Sequence, residues 1–271
     1  MYDGLVAVQQ EMGGESALQI TYIEGMFDVT AATEAMRDFG DEGYDLVIAH
    51  GAQYGTSLFE LAPEYPDTSF AWGTSSDTGA DRGLTNVFAY GARAQEGGYV
   101  NGVMAALLTQ SGTVGVVGPV PAGDAILYNN GFFQGVKATD PDVNVLIAYT
   151  GSFGDTAAAA EAAQTQIAAG ADVLTGSAQQ VPGAVEAIQA AGGYWFSTDT
   201  DQSVVWPETV VAAQVYNWVS VIKGMLDSRA DGVNGGIVFT PTLANGAMQM
   251  AFNEGLAGVP DEVFAAGRQA M

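Results

Sequence analysis

Short apolar runs alternate with longer amphipathic stretches along most of the chain. Tyr44–His50 (YDLVIAH) and Thr113–Gly118 (TVGVVG) are nearly continuous apolar runs, which are typical of strands covered on both faces. Val29–Phe39 has the spacing of a helix, and Asp28 precedes it as the predicted N-cap. This alternation of strands and helices predicts an α/β fold with parallel, doubly wound sheets.

The same patterns place further elements along the chain. The predicted strands are Leu18–Glu24, Tyr44–His50, Thr68–Trp72, Thr85–Tyr90, Thr113–Gly118, Val143–Tyr149, Asp172–Thr175, Tyr194–Ser197, Val210–Ala212 and Gly235–Thr240. The predicted helices are Val29–Phe39, a short one from Ser57, Gln95–Gln110, Asp124–Ala138, Thr156–Ala169, Pro182–Ala191 and Gln214–Asp227.

The length of 271 residues favours two lobes, because a single core stops growing at about 250–300 residues. Gly91–Glu96 and Ala212–Gln214 are the candidate crossovers between the lobes. We therefore predict a first lobe of residues 1–92 with about 213–235. The second lobe is predicted to hold residues 93–212 with about 236–271.

The chain is strongly acidic, with 31 acidic residues against 7 basic ones and a net charge of -24. Such a charge repels nucleic acid and anionic membranes, so neither is a predicted partner. The acidic residues are scattered, which favours a solvated surface adapted to high salt over an acidic patch for a cationic ligand. We therefore infer a halophilic source as a hypothesis.

Several kinds of chemistry have no residues to carry them. There is no cysteine, and His50 is the only histidine, which argues against disulfides, histidine-based triads and common zinc sites. Gly112–Gly118 lacks the ending of a phosphate loop. No catalytic residue, metal site or cofactor is predicted, and no apolar run approaches the length of a spanning helix.

Ligands of open parallel sheets bind beyond the carboxyl ends of the strands. The loops at those ends contain aromatic, carboxylate and amide side chains, which suit a ligand with a flat ring and several hydroxyls. The predicted ligand-binding residues are Tyr54, Phe153, Asp155, Ser177, Gln179, Asp199 and Asp201.

Each of these candidates also has an ordinary structural explanation. Tyr54 and Phe153 are equally well explained as anchors that pack on their own lobe. Asp155 has the position of an N-cap for the helix that follows it. The run that contains Asp199 and Asp201 resembles a calcium loop, but it lacks the required glycine and final glutamate.

Five motifs together resemble the basic membrane protein family of solute-binding proteins, which includes the purine nucleoside receptor A lipoproteins. They are Gly97–Gly102 (GGYVNG), Asn130–Gly135 (NGFFQG), Tyr149–Asp155 (YTGSFGD), Ala168–Val173 (AAGADV) and Asp199–Gln202 (DTDQ). The resemblance implies a type I periplasmic-binding-protein fold, in which two hinged α/β lobes close on a small molecule that an ABC permease receives.

The resemblance also implies roles for particular residues. Phe153 matches an aromatic residue that stacks on a base, and Asp199 and Asp201 match partners of ribose hydroxyls. Family members have a first strand and a ligand loop before the helix that Tyr2–Leu5 matches. We therefore expect the first strand of the first lobe to be missing, and an export signal with a lipid-anchor cysteine to lie upstream. The lysine of nucleoside-binding members has no counterpart in Ala212–Trp218.

The sequence thus predicts a monomeric binding protein of an ABC importer, located at the cell surface and not an enzyme. Its predicted ligand is a purine nucleoside or a similar hydroxylated molecule. One alternative is the ligand-sensing domain of a signalling protein, which shares the fold. A second is a nucleoside-processing hydrolase, which turnover of nucleosides by the purified protein would favour.

The net charge generates a prediction about salt. We expect the melting temperature to rise as salt increases from low to molar concentration, because screening relieves the repulsion between carboxylates. Thermal unfolding at a series of salt concentrations measures this effect. A melting temperature that stays flat or falls over that range would contradict the halophile hypothesis.

Overall fold

Parallel-stranded sheets form the frame of the protein, and the computed structural model describes them over all 271 residues. The helices are α1 (Tyr2–Met12), α2 (Val29–Asp41), α3 (Gly55–Leu61), α4 (Gln95–Leu108), α5 (Gly123–Thr139), α6 (Thr156–Ala168), α7 (Val181–Ala190), α8 (Val219–Ala230) and α9 (Asp261–Ala270). The strands are β1 (Leu46–Ala49), β2 (Ser69–Gly73), β3 (Val87–Tyr90), β4 (Thr113–Gly118), β5 (Asn144–Tyr149), β6 (Val173–Gly176), β7 (Tyr194–Ser197), β8 (Val210–Tyr216), β9 (Val238–Phe239) and β10 (Met248–Phe252). No helix combines the length and the apolar character that crossing a bilayer requires.

The chain divides into two compact units, each built from two separate stretches. The first contains residues 1–92 and 217–241, and the second contains residues 93–216 and 242–271. Residues 213–216 and 236–241 are therefore assigned differently from the sequence-based boundaries. The reason is strand pairing, since β8 pairs with β7 and β10 of the second unit whereas β9 pairs with β3 of the first.

The first unit contains a four-stranded parallel sheet in the order β1-β2-β3-β9. Apolar side chains of α2 and α3 pack on this sheet, and Met36, Leu58 and Phe70 are among the buried residues of that core. Asp28 caps α2 as predicted, because its carboxylate accepts a hydrogen bond from Ala31 N (2.8 Å).

Two predicted elements are wrong. Leu18–Glu24 forms no strand, and the sheet of the first unit ends at β1, which pairs only with β2. Tyr22 and Ile23 within it are 53% and 52% exposed. The helix predicted from Gln214 begins at Val219 instead, since β8 continues to Tyr216 where β10 pairs with it.

The second unit contains a six-stranded sheet in the order β10-β8-β7-β6-β4-β5, in which only β10 is antiparallel. Neighbouring residues on one strand point to opposite faces. Val116 and Phe196 pack with α4, α5 and α9, whereas Val117 and Trp195 pack with α6 and α7. Both faces of the sheet are thus covered by helices. Sequence patterns did not predict β10 or α9.

Helices α4 and α5 approach each other backbone to backbone through glycines. A Cβ atom at Gly98 would lie 2.4 Å from Tyr128 O, and one at Gly102 would lie 2.2 Å from Phe132 O. Reciprocally, a Cβ atom at Gly131 would lie 2.3 Å from Gln95 O. These positions belong to the GGYVNG and NGFFQG motifs, so the close approach of the two helices gives both motifs a physical explanation.

We expect Gly102→Ala to destabilise the second unit by about 1–3 kcal/mol, because the added methyl group must displace the Phe132 carbonyl. This is the net loss of stability, which remains after the gain of about 1 kcal/mol that alanine brings to a helix interior. Chemical denaturation measures the free energy of unfolding. Leu107→Ala, at an exposed position of the same helix, is the control and should change stability much less. Equal stability of Gly102→Ala and wild type would contradict this account of the glycines.

Candidate ligand-binding site

Left-handed backbone conformations occur directly after the carboxyl ends of strands. Thr74 follows β2 with φ of 60°, Ala178 lies two residues after β6 with φ of 71°, and Asp199 lies two residues after β7 with φ of 74°. They are the only residues other than glycine with positive φ in the chain. Each such residue costs about 1–3 kcal/mol and tends to occur where function requires it. Backbone strain therefore marks the sheet edges at which ligands of this fold class bind.

In the second unit the strained loops after β6 and β7 are joined. The Asp199 carboxylate accepts a hydrogen bond from the backbone N–H of Ala178. Burial nevertheless raises the pKa of Asp199 to about 6, since the single backbone donor compensates only in part for lost hydration. Tyr216 N donates to Asp199 O (3.3 Å), which ties the same loop to the end of β8.

The loop after β5 is connected to the same edge. Thr150 Oγ1 donates a hydrogen bond to Gln180 Oε1 (2.5 Å), and Gln180 is fully buried beside Ser177. Ser152 Oγ accepts hydrogen bonds from the N–H groups of Gly154 (3.2 Å) and Asp155 (3.1 Å). The half-buried ring of Phe153 therefore stands in a loop whose backbone is fixed on both sides.

Buried polar atoms without a hydrogen-bond partner in the protein concentrate in the second unit. They include Ser177 Oγ, Asn101 Oδ1, Gln214 Oε1 and both side-chain polar atoms of Asn129. Asn129 lies at the carboxyl end of β4, because a Cβ atom at Gly118 would be 2.8 Å from its Nδ2. Buried polar groups nearly always have partners. The unpartnered atoms include both donors and acceptors.

The structure places the predicted residues in different roles. Asp155 caps α6 by accepting from Ala158 N (2.9 Å), as the structural explanation expected. Asp201 accepts from Ser203 N (3.0 Å) and so caps the short 3₁₀ helix Gln202–Val204. Gln179 is exposed.

Tyr54 packs in the core of the first unit, and its hydroxyl donates to Met26 O. Ser177 and Asp199 remain at the shared edge, and Phe153 stands in the adjoining loop.

Sequence reasoning missed the side chains that lie beneath this edge. Asn101 and Tyr128 project from α4 and α5, and Gln214 and Tyr216 from β8. Gln214 Nε2 donates to Tyr216 OH (2.9 Å), while burial raises the pKa of Tyr216 and the nearby Asp199 raises it further. Asn101 could have been identified from the sequence, because it is an amide within an otherwise small or apolar helical stretch.

The first unit has a polar edge of its own. The His50 ring lies parallel to Tyr90 with 5.7 Å between ring centroids, and His50 Nδ1 is 2.9 Å from Tyr90 OH. Trp218 meets the histidine edge-on at 5.3 Å. Thr74 Oγ1 and Gln53 Oε1 are buried without a partner in the protein. This edge therefore combines aromatic rings with polar groups.

Comparison with known proteins is consistent with these features. The family model described as ABC transporter substrate-binding protein PnrA-like matches residues 1–261. A purine-binding protein of Brucella abortus is 29% identical over 78% of this chain and 59% of its own length. The transcriptional activator protein Med of Bacillus subtilis is 28% identical over 80% of this chain and 65% of its own length. The chain thus spans less than two thirds of either relative.

The fold recurs in solved structures. An ABC transporter solute-binding protein from Conexibacter woesei superposes with a TM-score of 0.73 at 22% identity, covering 98% of this chain and 88% of that one. Neighbours of this kind share the type I periplasmic-binding-protein fold, so the fold that the sequence predicts is confirmed.

The raised pKa of Asp199 generates a prediction about pH. A carboxyl whose pKa is higher in the folded protein than in the unfolded chain contributes its full stability below the unfolded pKa, which is about 4 for aspartate. That contribution is lost as pH rises through the folded pKa of about 6. We therefore expect Asp199→Asn to gain stability relative to wild type over that range, by up to about 2–3 kcal/mol. Unfolding free energies at several pH values measure this gain. Asp142→Asn removes an exposed carboxylate instead and should show no such gain, whereas parallel curves for all three proteins would refute the prediction.

Proposed function

Because the chain belongs to the PnrA-like family of ABC transporter substrate-binding proteins, we propose that it binds a purine nucleoside or a similar hydroxylated small molecule and passes it to an ABC permease. The proposed activity is binding without chemical conversion. The name of the Brucella abortus relative supports a purine ring as part of the ligand. The proposed location is outside the cytoplasm, where binding proteins of importers meet their ligands.

The main support for the proposal is the pair of strained loops after β6 and β7, which a hydrogen bond between Ala178 and Asp199 connects. Ala178 and Asp199 hold costly conformations side by side at the carboxyl edge of a parallel sheet. A protein that required only a stable fold would favour glycine at such positions. The carboxylate of Asp199 at one of them supports a role for this residue in binding.

The proposed contacts follow from the chemistry of each side chain. Phe153 offers a half-buried aromatic face on which a flat base can stack. Asp199 accepts hydrogen bonds from hydroxyl groups, and charged acceptors form the stronger hydrogen bonds. Ser177 Oγ adds a buried hydroxyl on the neighbouring loop. Together they match a molecule with one apolar face and several donors.

A second candidate function is ligand sensing in a regulatory protein. The similarity to the Bacillus subtilis transcriptional activator supports it, and this chain covers 65% of that protein's length. Both candidates use the same ligand site, so they differ in the partner that responds to binding. Growth of a deletion strain on the ligand as sole purine source separates them, because only the transport role requires the protein for uptake.

Two substitutions test the proposed site. We expect Phe153→Ala to weaken nucleoside binding about tenfold or more, because a stacked base is worth about 1–3 kcal/mol. Asp199→Ala should weaken nucleoside binding at least as much but should hardly affect a free base, which lacks ribose hydroxyls. Titration calorimetry with inosine, guanosine, adenosine and the free bases, in high salt, measures these affinities.

The matched control for the aromatic substitution is Phe133→Ala, at a 40% exposed position of α5, which should leave the affinity unchanged. Both site variants binding nucleosides as tightly as wild type, with folding intact, would mean that the site is assigned wrongly. Release of free base or ribose during the titrations would favour a hydrolase instead of a binding protein.

A further inference from the structure

A chain of buried hydrogen bonds crosses the second unit beneath the proposed site. Asn101 Nδ2 lies 2.8 Å from Tyr128 OH, which lies 2.8 Å from Thr175 Oγ1. Thr175 Oγ1 in turn lies 2.7 Å from Phe196 O. Asn101, Tyr128 and Thr175 are each 0% exposed. We call these three side chains the buried relay.

The direction of every hydrogen bond in the relay is fixed. Thr175 has one hydroxyl hydrogen, which it donates to Phe196 O, so its oxygen accepts from Tyr128. The Tyr128 oxygen then accepts from the amide of Asn101, which also donates to Ser197 O (3.1 Å). The relay therefore connects α4 and α5 by hydrogen bonds to β6 and to the last two residues of β7. Every polar hydrogen of the three side chains is used in these bonds.

The relay ends where the strained loops begin. Thr175 is three residues before Ala178, and Ser197 is two residues before Asp199. The left-handed conformations at both sites persist only while the surrounding structure holds them. Tyr128 also interacts electrostatically with Asp199 of the proposed site. Burial raises the pKa of Tyr128, and the negative charge of Asp199 raises it further.

We propose that Tyr128 is a positioning residue for the ligand site, which holds Ser177 and Asp199 in binding geometry through Asn101 and Thr175. This inference rests on the proposed function and extends it to a residue that does not touch the ligand. Without the tyrosine hydroxyl the loops relax, and the ligand must reorder them when it binds. Binding then weakens although every contacting side chain is still present.

Tyr128→Phe is the direct test, because it removes the one oxygen that links Asn101 to Thr175 and keeps both of those side chains. We expect about a tenfold or greater loss of affinity for inosine or guanosine in the full chain. The matched control is Tyr194→Phe at the amino end of β7, which removes the hydroxyl that donates to Ala257 O (3.1 Å). It should bind as wild type does. Thr175→Val breaks the same relay and should reproduce the loss if Tyr128→Phe does not fold.

A second readout uses the ligand-free protein and detects positioning directly. Carbon-13 NMR of the Asp199 carboxyl follows its titration, whose midpoint should fall from about 6 toward that of an exposed aspartate in Tyr128→Phe and stay unchanged in Tyr194→Phe. An unchanged midpoint in a folded Tyr128→Phe overturns the inference whether or not a ligand is found. Wild-type affinity in Tyr128→Phe also overturns it while the proposed function stands. Failure of wild type to bind any nucleoside overturns the proposed function instead, and the NMR result still decides the role of Tyr128.

Discussion

The second unit depends on the contact between the backbones of α4 and α5. Side chains normally keep two helix axes about 8–10 Å apart, and the glycines of GGYVNG and NGFFQG remove them at the crossing. This close approach brings Asn101 of one helix within hydrogen-bonding distance of Tyr128 of the other. The same stretch provides Gly97, where a Cβ atom would lie 2.0 Å from Gln214 Oε1. The glycines of α4 and α5 thus permit both the close packing of the two helices and the hydrogen bond between them.

The polar residues of the proposed site divide into those that shape loops and those that remain open to a ligand. Asp155 and Asp201 use their carboxylates to begin helices, so their presence at the strand ends is explained without a ligand. Asp199 has one backbone donor and a raised pKa, and Ser177 has no partner for its hydroxyl within the protein. Sequence position alone does not separate these two groups, because all four residues follow a strand.

Most of the strands and helices were predictable, since apolar runs such as Thr113–Gly118 report burial on both faces. The exceptions depend on neighbours distant in sequence. Leu18–Glu24 has the composition of a strand but joins neither sheet, and β8 extends to Tyr216 because β10 pairs with it from residue 248 onward. The candidate site was predictable as a set of loops. Tyr128 was not, because a tyrosine inside a helix usually belongs to the apolar core.

The way the two units share the chain has a consequence for synthesis. Residues 217–241 complete the first unit, yet they lie between β8 and β10 of the second. Neither unit can therefore finish folding as its first stretch leaves the ribosome, and the second must wait for residues 248–252 to close its sheet edge. Contacts between such distant segments slow folding. Nascent chains thus expose unpaired sheet edges of the second unit until residue 252 has been synthesised, and such edges favour aggregation.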